Sequence, residues 1–138
     1  MGDFVAGEPR LGMKLDYDAV RELTAPRVLI DARAPRRFRG EVEPVDPVAG
    51  HIPGARNVPW EDSLGTQGRL RSPEELRQRF AALGIEDGSD AVAYCGSGVS
   101  ACMNLLALEV AGLSGARLYP GSWSDWAKHP DAEIATGM

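Results

Sequence analysis

The chain has 138 residues, with 15 Lys and Arg against 20 Asp and Glu, a net charge of −5 and a pI near 5.0. That length holds one domain with its own core and not two of ordinary size, and the acidic balance argues against a nucleic-acid partner. No apolar run reaches membrane-spanning length, Met1 to Glu8 lack the basic-then-apolar pattern of a secretory signal, and two cysteines seven residues apart fit neither a disulfide framework nor a zinc spacing. The expected setting is reducing and cytoplasmic, with no metal, no cofactor, no nucleic acid and no membrane.

In chain order, residues 1–15 are rich in glycine and polar residues without clear periodicity, and read as a linker-like N-terminal segment before a domain over 16–138. Asp16 is placed to cap a short helix running to Leu23, with Val20 and Leu23 on its buried side. Residues 27–31 have the pattern of a buried strand ending in Asp31. Arg33, Arg36, Arg37 and Arg39 then fall within seven residues, with Pro35 suited to a first helical turn. Most of that cluster is expected on a solvated face, neutralised by Glu41, Glu43 and Asp46, but an oxyanion site needs one fixed cation and Arg suits it better than Lys. The stretch from Pro44 to Pro59 is irregular and holds His51, expected as a hydrogen-bonded structural residue, and a short strand at 55–58. Ser72-Pro73-Glu74-Glu75 is a helix start with a Ser cap, Pro in the first position and Glu three residues on. Gly84 ends that helix.

The central stretch runs from Ala91 to Cys102. Residues 91–95 read as a buried strand, Cys95-Gly96-Ser97-Gly98 as a tight loop, and Ser100 to Ala111 as a helix. A cysteine at such a strand end, facing the unpaired N–H groups of a glycine-rich loop and a helix start, is expected to be a nucleophile with a lowered pKa. Cys102, one turn into the helix, is expected as small core filler. A last strand at 116–119 leads to a short helix capped by Ser122, with Trp123 and Trp126 as core residues sharing one face. Strands alternating with helices indicate an α/β domain, a mostly parallel central sheet with helices on both faces. Ligands bind off the carboxyl ends of the strands in such sheets, where both Asp31 and Cys95 fall.

Four motifs carry a resemblance: Val28-Leu29-Ile30-Asp31-Ala32-Arg33, the run Gly50-His51-Ile52-Pro53-Gly54-Ala55-Arg56-Asn57-Val58-Pro59, Cys95-Gly96-Ser97-Gly98-Val99-Ser100-Ala101, and Gly121-Ser122-Trp123-Ser124-Asp125-Trp126. Together and in this order they resemble the rhodanese sulfurtransferases, and most of all the second, catalytic half of tandem-domain thiosulfate or 3-mercaptopyruvate sulfurtransferases. The resemblance implies a three-layer rhodanese-like fold over 16–138. It implies a persulfide mechanism in which Cys95 takes a sulfane sulfur from a small anionic donor. The sulfur then passes to cyanide or a thiol, a thioredoxin-like protein being one acceptor of that kind. It places the persulfide among Gly96, Ser97, Gly98, Val99 and Ser100, makes Arg37 the donor-binding arginine, and gives Asp31 and His51 structural roles.

The neutral loop resembles that of mercaptopyruvate-using members, whereas residues 41–50 lack the second arginine such members often carry. The resemblance further implies a missing N-terminal rhodanese-like domain as partner, so that this chain is one half of a longer protein. The alternative is an isolated half acting as a weakly active or non-catalytic sulfur carrier or interaction module. Phosphatases related in fold need an arginine at the end of the loop to grip phosphoryl oxygens; position 101 is Ala.

Overall fold

Four short strands, β1 (Val28–Asp31), β2 (Arg56–Asn57), β3 (Ala91–Tyr94) and β4 (Arg117–Leu118), form one parallel sheet in the order β2-β1-β3-β4. The coordinates are a computed structural model that describes residues 2–138. The expected strands at 27–31, 55–58, 91–95 and 116–119 are all present, the first and third shorter by one residue and the other two by one at each end.

Among the described residues five α-helices accompany the sheet: α1 (Tyr17–Arg21), α2 (Pro35–Phe38), α3 (Pro73–Ala81), α4 (Ala101–Val110) and α5 (Ser122–Trp126). The period of two along β3 decides which face each residue serves. Ala91, Ala93 and Cys95 point into a core with Ile30, Leu76, Phe80 and Leu108, beneath α3 and α4. Val92 and Tyr94 point the other way, to Tyr17, Val20, Trp123 and Trp126 of α1 and α5. Both faces of β3 are buried, which is why its sequence is an unbroken apolar run.

α1 starts where Asp16 accepts the N–H of Ala19, but ends at Arg21, short of Leu23. α3 begins with a full capping box: Ser72 accepts from the Glu75 N–H and the Glu75 carboxylate from the Ser72 N–H. Such a cap stabilises a helix by about 1 kcal/mol. Residues 2–10 are exposed and irregular, whereas Lys14 bridges to Leu118 and the Leu15 N–H donates to the Leu118 carbonyl, extending the sheet past β4. The described residues contain no helix long and apolar enough to cross a membrane.

The sheet order puts the site in place. From β1 the chain crosses to β2 on one side, and from β3 to β4 on the other. The crevice between the carboxyl ends of β1 and β3 is therefore the point where the connections diverge, the usual ligand position in open α/β sheets. Asp31 ends β1 opposite Tyr94, which ends β3, so the segments after Asp31 and after Tyr94 meet there.

Candidate active site

Cys95 follows β3 directly and is 2% exposed. Its Sγ accepts the N–H of Gly98 at 3.1 Å. Gly98 has φ +86°, and a Cβ there would lie 2.6 Å from the Pro120 carbonyl oxygen, so the turn that aims this N–H at the sulfur accepts only glycine. Among the described residues none accepts a hydrogen bond from the N–H of Gly96, Ser97, Val99, Ser100 or Ala101. These five donors sit in the loop and at the start of α4, the arrangement that favours negative charge. Ser97 and Val99 are exposed at the rim, Gly96 and Ser100 half-buried, and Gly98 buried.

The other wall of the loop is the start of α5. The N–H groups of Trp123 and Ser124 donate to the carbonyls of Cys95 and Gly96, both at 2.9 Å. Ser122 is the first residue of α5 rather than its cap, and has φ +56°. Its hydroxyl accepts the Cys95 N–H at 3.1 Å and donates to the Tyr119 carbonyl at 2.9 Å. A hydroxyl read from sequence as a helix cap thus fixes the backbone of the cysteine instead. The signal for this lay only in the pairing of two distant motifs, which no local pattern reveals.

Arg37 sits on α2, in the segment after β1. Its two terminal nitrogens lie 3.4 Å from the point a Cβ on Gly96 would occupy, so the guanidinium rests on the bare backbone of the cysteine loop. Glu43 holds it there, Arg37 Nη2 donating to Oε1 at 2.6 Å and Nε to Oε2 at 3.3 Å, with Asp46 Oδ2 3.8 Å from Nη2. The structure therefore brings Arg37, Cys95 and the loop from Gly96 to Ser100 together.

The rest of the arginine cluster divides. Arg36 and Arg39 pair with Glu41 on the surface, as expected. Arg33 and Glu43 do not belong to a solvated face; their side chains are 2% and 4% exposed. Arg33 binds both oxygens of Asp31, donates to the Gly50 carbonyl, and lies over the Trp123 ring at 4.9 Å. Burial alone pushes the Arg33 guanidinium toward losing its proton, but Asp31 outweighs this and raises its pKa. Burial likewise pushes the Glu43 carboxyl up, and hydrogen bonds from Arg37 and from the N–H groups of Asp46 and Val45 bring it below the ordinary range. Burial, with Asp31 beside it, holds the Tyr94 phenol protonated, and its oxygen accepts the Ile52 N–H.

His51 is buried, stacked on Phe38 at 3.7 Å, with Nδ1 2.6 Å from the Phe38 carbonyl oxygen, a contact that requires the proton on Nδ1. Cys102 is exposed, not core filler; its thiol donates to the Gly98 carbonyl at 3.4 Å. The first turn of α4 lifts it out of the core, where Ala101 and Asn104 point inward. A groove of about 360 Å³ bordered by Tyr17, Leu29, Ile52 and Trp126 lies on the α1–α5 face and includes no residue of the cysteine loop.

The rhodanese-like domain family matches residues 16–129. A Pseudomonas aeruginosa protein provisionally named 3-mercaptopyruvate sulfurtransferase is 52% identical over 139 residues, covering 99% of this chain and 49% of that protein. A Mycobacterium tuberculosis protein provisionally named thiosulfate sulfurtransferase SseB is 44% identical, over 91% of this chain and 44% of its own length. The chain thus spans about half the length of the curated relatives it matches. Among solved structures, the anaerobic ergothioneine biosynthesis enzyme from Chlorobium limicola superposes with a TM-score of 0.83 at 23% identity, over 94% of this chain and 33% of that one, a likeness of fold. Sheet order, cysteine loop and the match across 16–129 agree: the chain belongs to the rhodanese-like domain family.

Proposed function

We propose that this chain carries the sulfur-transfer site of a thiosulfate or 3-mercaptopyruvate sulfurtransferase, with Cys95 as the sulfur carrier. The observation that supports this best is the Cys95 sulfur set on the Gly98 N–H with the Arg37 guanidinium against the neighbouring Gly96. In the first step the Cys95 thiolate attacks the outer sulfur of the donor. A sulfur–sulfur bond forms, and the donor's own bond to that sulfur breaks. Thiosulfate leaves as sulfite with the electron pair; 3-mercaptopyruvate leaves as the pyruvate enolate, which takes a proton from solvent. In the second step cyanide or a thiol attacks the outer sulfur, and Cys95 returns as thiolate.

Arg37 orients the anionic donor, and the unpaired loop N–H groups cradle the charge on the persulfide. The protein acceptor that suits an exposed loop rim is a thioredoxin-like thiol, and a preceding rhodanese-like domain is the partner that would close the site. The relatives' double length also favours a second reading, in which this half alone transfers sulfur weakly and serves as a carrier.

Incubation with each donor and cyanide, following thiocyanate, tests the proposal. The chain should release thiocyanate, gain the mass of one sulfur after donor alone, and lose it to reductant. Cys95→Ser should abolish both signals. A chain that gains no sulfur from either donor would refute it.

A further inference from the structure

We propose that Glu43 and Asp46 set the charge of the donor this site accepts, favouring a singly over a doubly charged anion; this rests on the sulfurtransferase reading above. Five side chains of opposite formal charge form one run of ion pairs, from Asp31 through Arg33, Glu43 and Arg37 to Asp46, with Arg37 against Gly96 of the loop. Three carboxylates face two guanidiniums, so the cluster carries one negative charge in excess. Arg37, which rests on Gly96 of the cysteine loop, is thereby more than neutralised before any ligand arrives. No residue from Cys95 to Ser100 carries a positive charge to compensate.

The two acids act differently. Glu43 grips Arg37 by two hydrogen bonds, accepts the N–H groups of Val45 and Asp46, and reaches Arg33, so it both places the guanidinium and screens it. Asp46 stands 3.8 Å from Arg37 Nη2, and among the described residues its buried Oδ2 accepts no hydrogen bond. It contributes charge without fixing geometry. An anion resting on Arg37 gains from the guanidinium and is opposed by both carboxylates, and that opposition scales with the anion's charge. Near neutral pH thiosulfate is a dianion, whereas 3-mercaptopyruvate with its thiol protonated is a monoanion. The cluster therefore penalises the first more than the second. A carboxylate, planar and singly charged, can also share the edge of Arg37 with Glu43.

The test uses the chain with Cys102→Ser, so that Cys95 is its only thiol. Two ratios are measured in this background and in the added variants Asp46→Asn and Glu43→Gln. The first is the rate of Cys95 alkylation by anionic iodoacetate over neutral iodoacetamide, which involves no sulfur transfer and cancels changes in thiol reactivity. The second is the efficiency of persulfide formation from thiosulfate over that from 3-mercaptopyruvate. Asp46→Asn should raise both ratios, by about threefold or more for removal of one charge at this range, and Glu43→Gln, which also loosens Arg37, should raise them less. Asp46→Asn carries the test if Glu43→Gln fails to fold. Unchanged ratios in Asp46→Asn would overturn the inference, because a merely structural role alters rates and not charge selectivity. A raised alkylation ratio with no persulfide from either donor supports the charge assignment and overturns the sulfurtransferase reading instead.

Discussion

Arg33 and Arg37 stand four residues apart, share the carboxylate of Glu43, and occupy different surroundings. Arg33 is 2% exposed, locked on Asp31 and the Gly50 carbonyl and covered by Trp123. Arg37 is 21% exposed and presses on Gly96 of the cysteine loop, which has no side chain to meet it. The first ties β1 to the irregular stretch before β2; the second lies against the cysteine loop at Gly96. Burial with full pairing makes a structural residue of one, and partial exposure beside the cysteine loop leaves the other the place proposed above for a donor contact.

Removing Arg33 gives the largest expected loss. Arg33→Ala leaves the fully buried Asp31 carboxylate without its cation and opens a void beside Trp123. Breaking a buried pair from one side costs about 3–5 kcal/mol, to be read from a denaturant midpoint. A loss under about 1 kcal/mol would put Arg33 in the same class as its surface neighbours. Arg37→Lys should do the opposite. It keeps a charge near Glu43, so it should cost less stability than Arg33→Ala, but the forked donor that meets an oxyanion is gone. Sulfur transfer should fall about 10²-fold in kcat/KM. If Arg37→Lys destabilised as much as Arg33→Ala without touching transfer, the contrast between the two would collapse.

Ser122 extends the contrast to the far wall of the loop. Ser122→Ala strips the Cys95 N–H of its acceptor, an expected cost of about 1–3 kcal/mol, while φ +56° remains imposed on a residue with a Cβ. Ser122→Gly removes the same hydroxyl but suits that φ, so it should be the more stable of the two. Both should slow transfer through Cys95 equally if the hydroxyl places the cysteine. A Gly variant that recovers wild-type transfer would show that backbone conformation alone sets the loop.

These pairs also mark how far residue patterns reach. The strand at Ala91 to Tyr94, the capping box at Ser72 and the tryptophan face of α5 follow from short-range rules, since period, cap and aromatic spacing act within a few residues. The place of Cys95 was legible for the same reason: strand, glycine turn and helix start are adjacent in the chain. Which of four clustered arginines would be buried was not legible, because Asp31, Gly50 and Trp123 reach Arg33 only once the sheet has formed. Glu43 reads as a surface counterion in the sequence, since nothing near it there discloses that two guanidiniums close over it. Cys102 was misplaced by a single step of helical phase, Ala101 and Asn104 taking the inward positions on either side.

The smallest expected effect separates the shared acid from its two partners by pH. The Glu43 carboxyl lies below its ordinary value of 4.5, so the folded chain keeps it ionised where the unfolded chain binds a proton. Its contribution is fully present above that value and is lost as pH falls through the lower, folded one. Glu43→Gln should therefore be less stable than wild type at about pH 7, with the gap closing below about pH 4.5 at no more than ~1.4 kcal/mol per pH unit, the limit for one proton. Glu41, Glu75 and Asp87, also lowered, titrate in both proteins and cancel in the difference. Stability curves of the two proteins from about pH 7 to pH 3 check this. A gap of constant size would mean that Glu43 serves by shape and hydrogen bonding alone, and that its charge does not hold Arg37 over the cysteine loop.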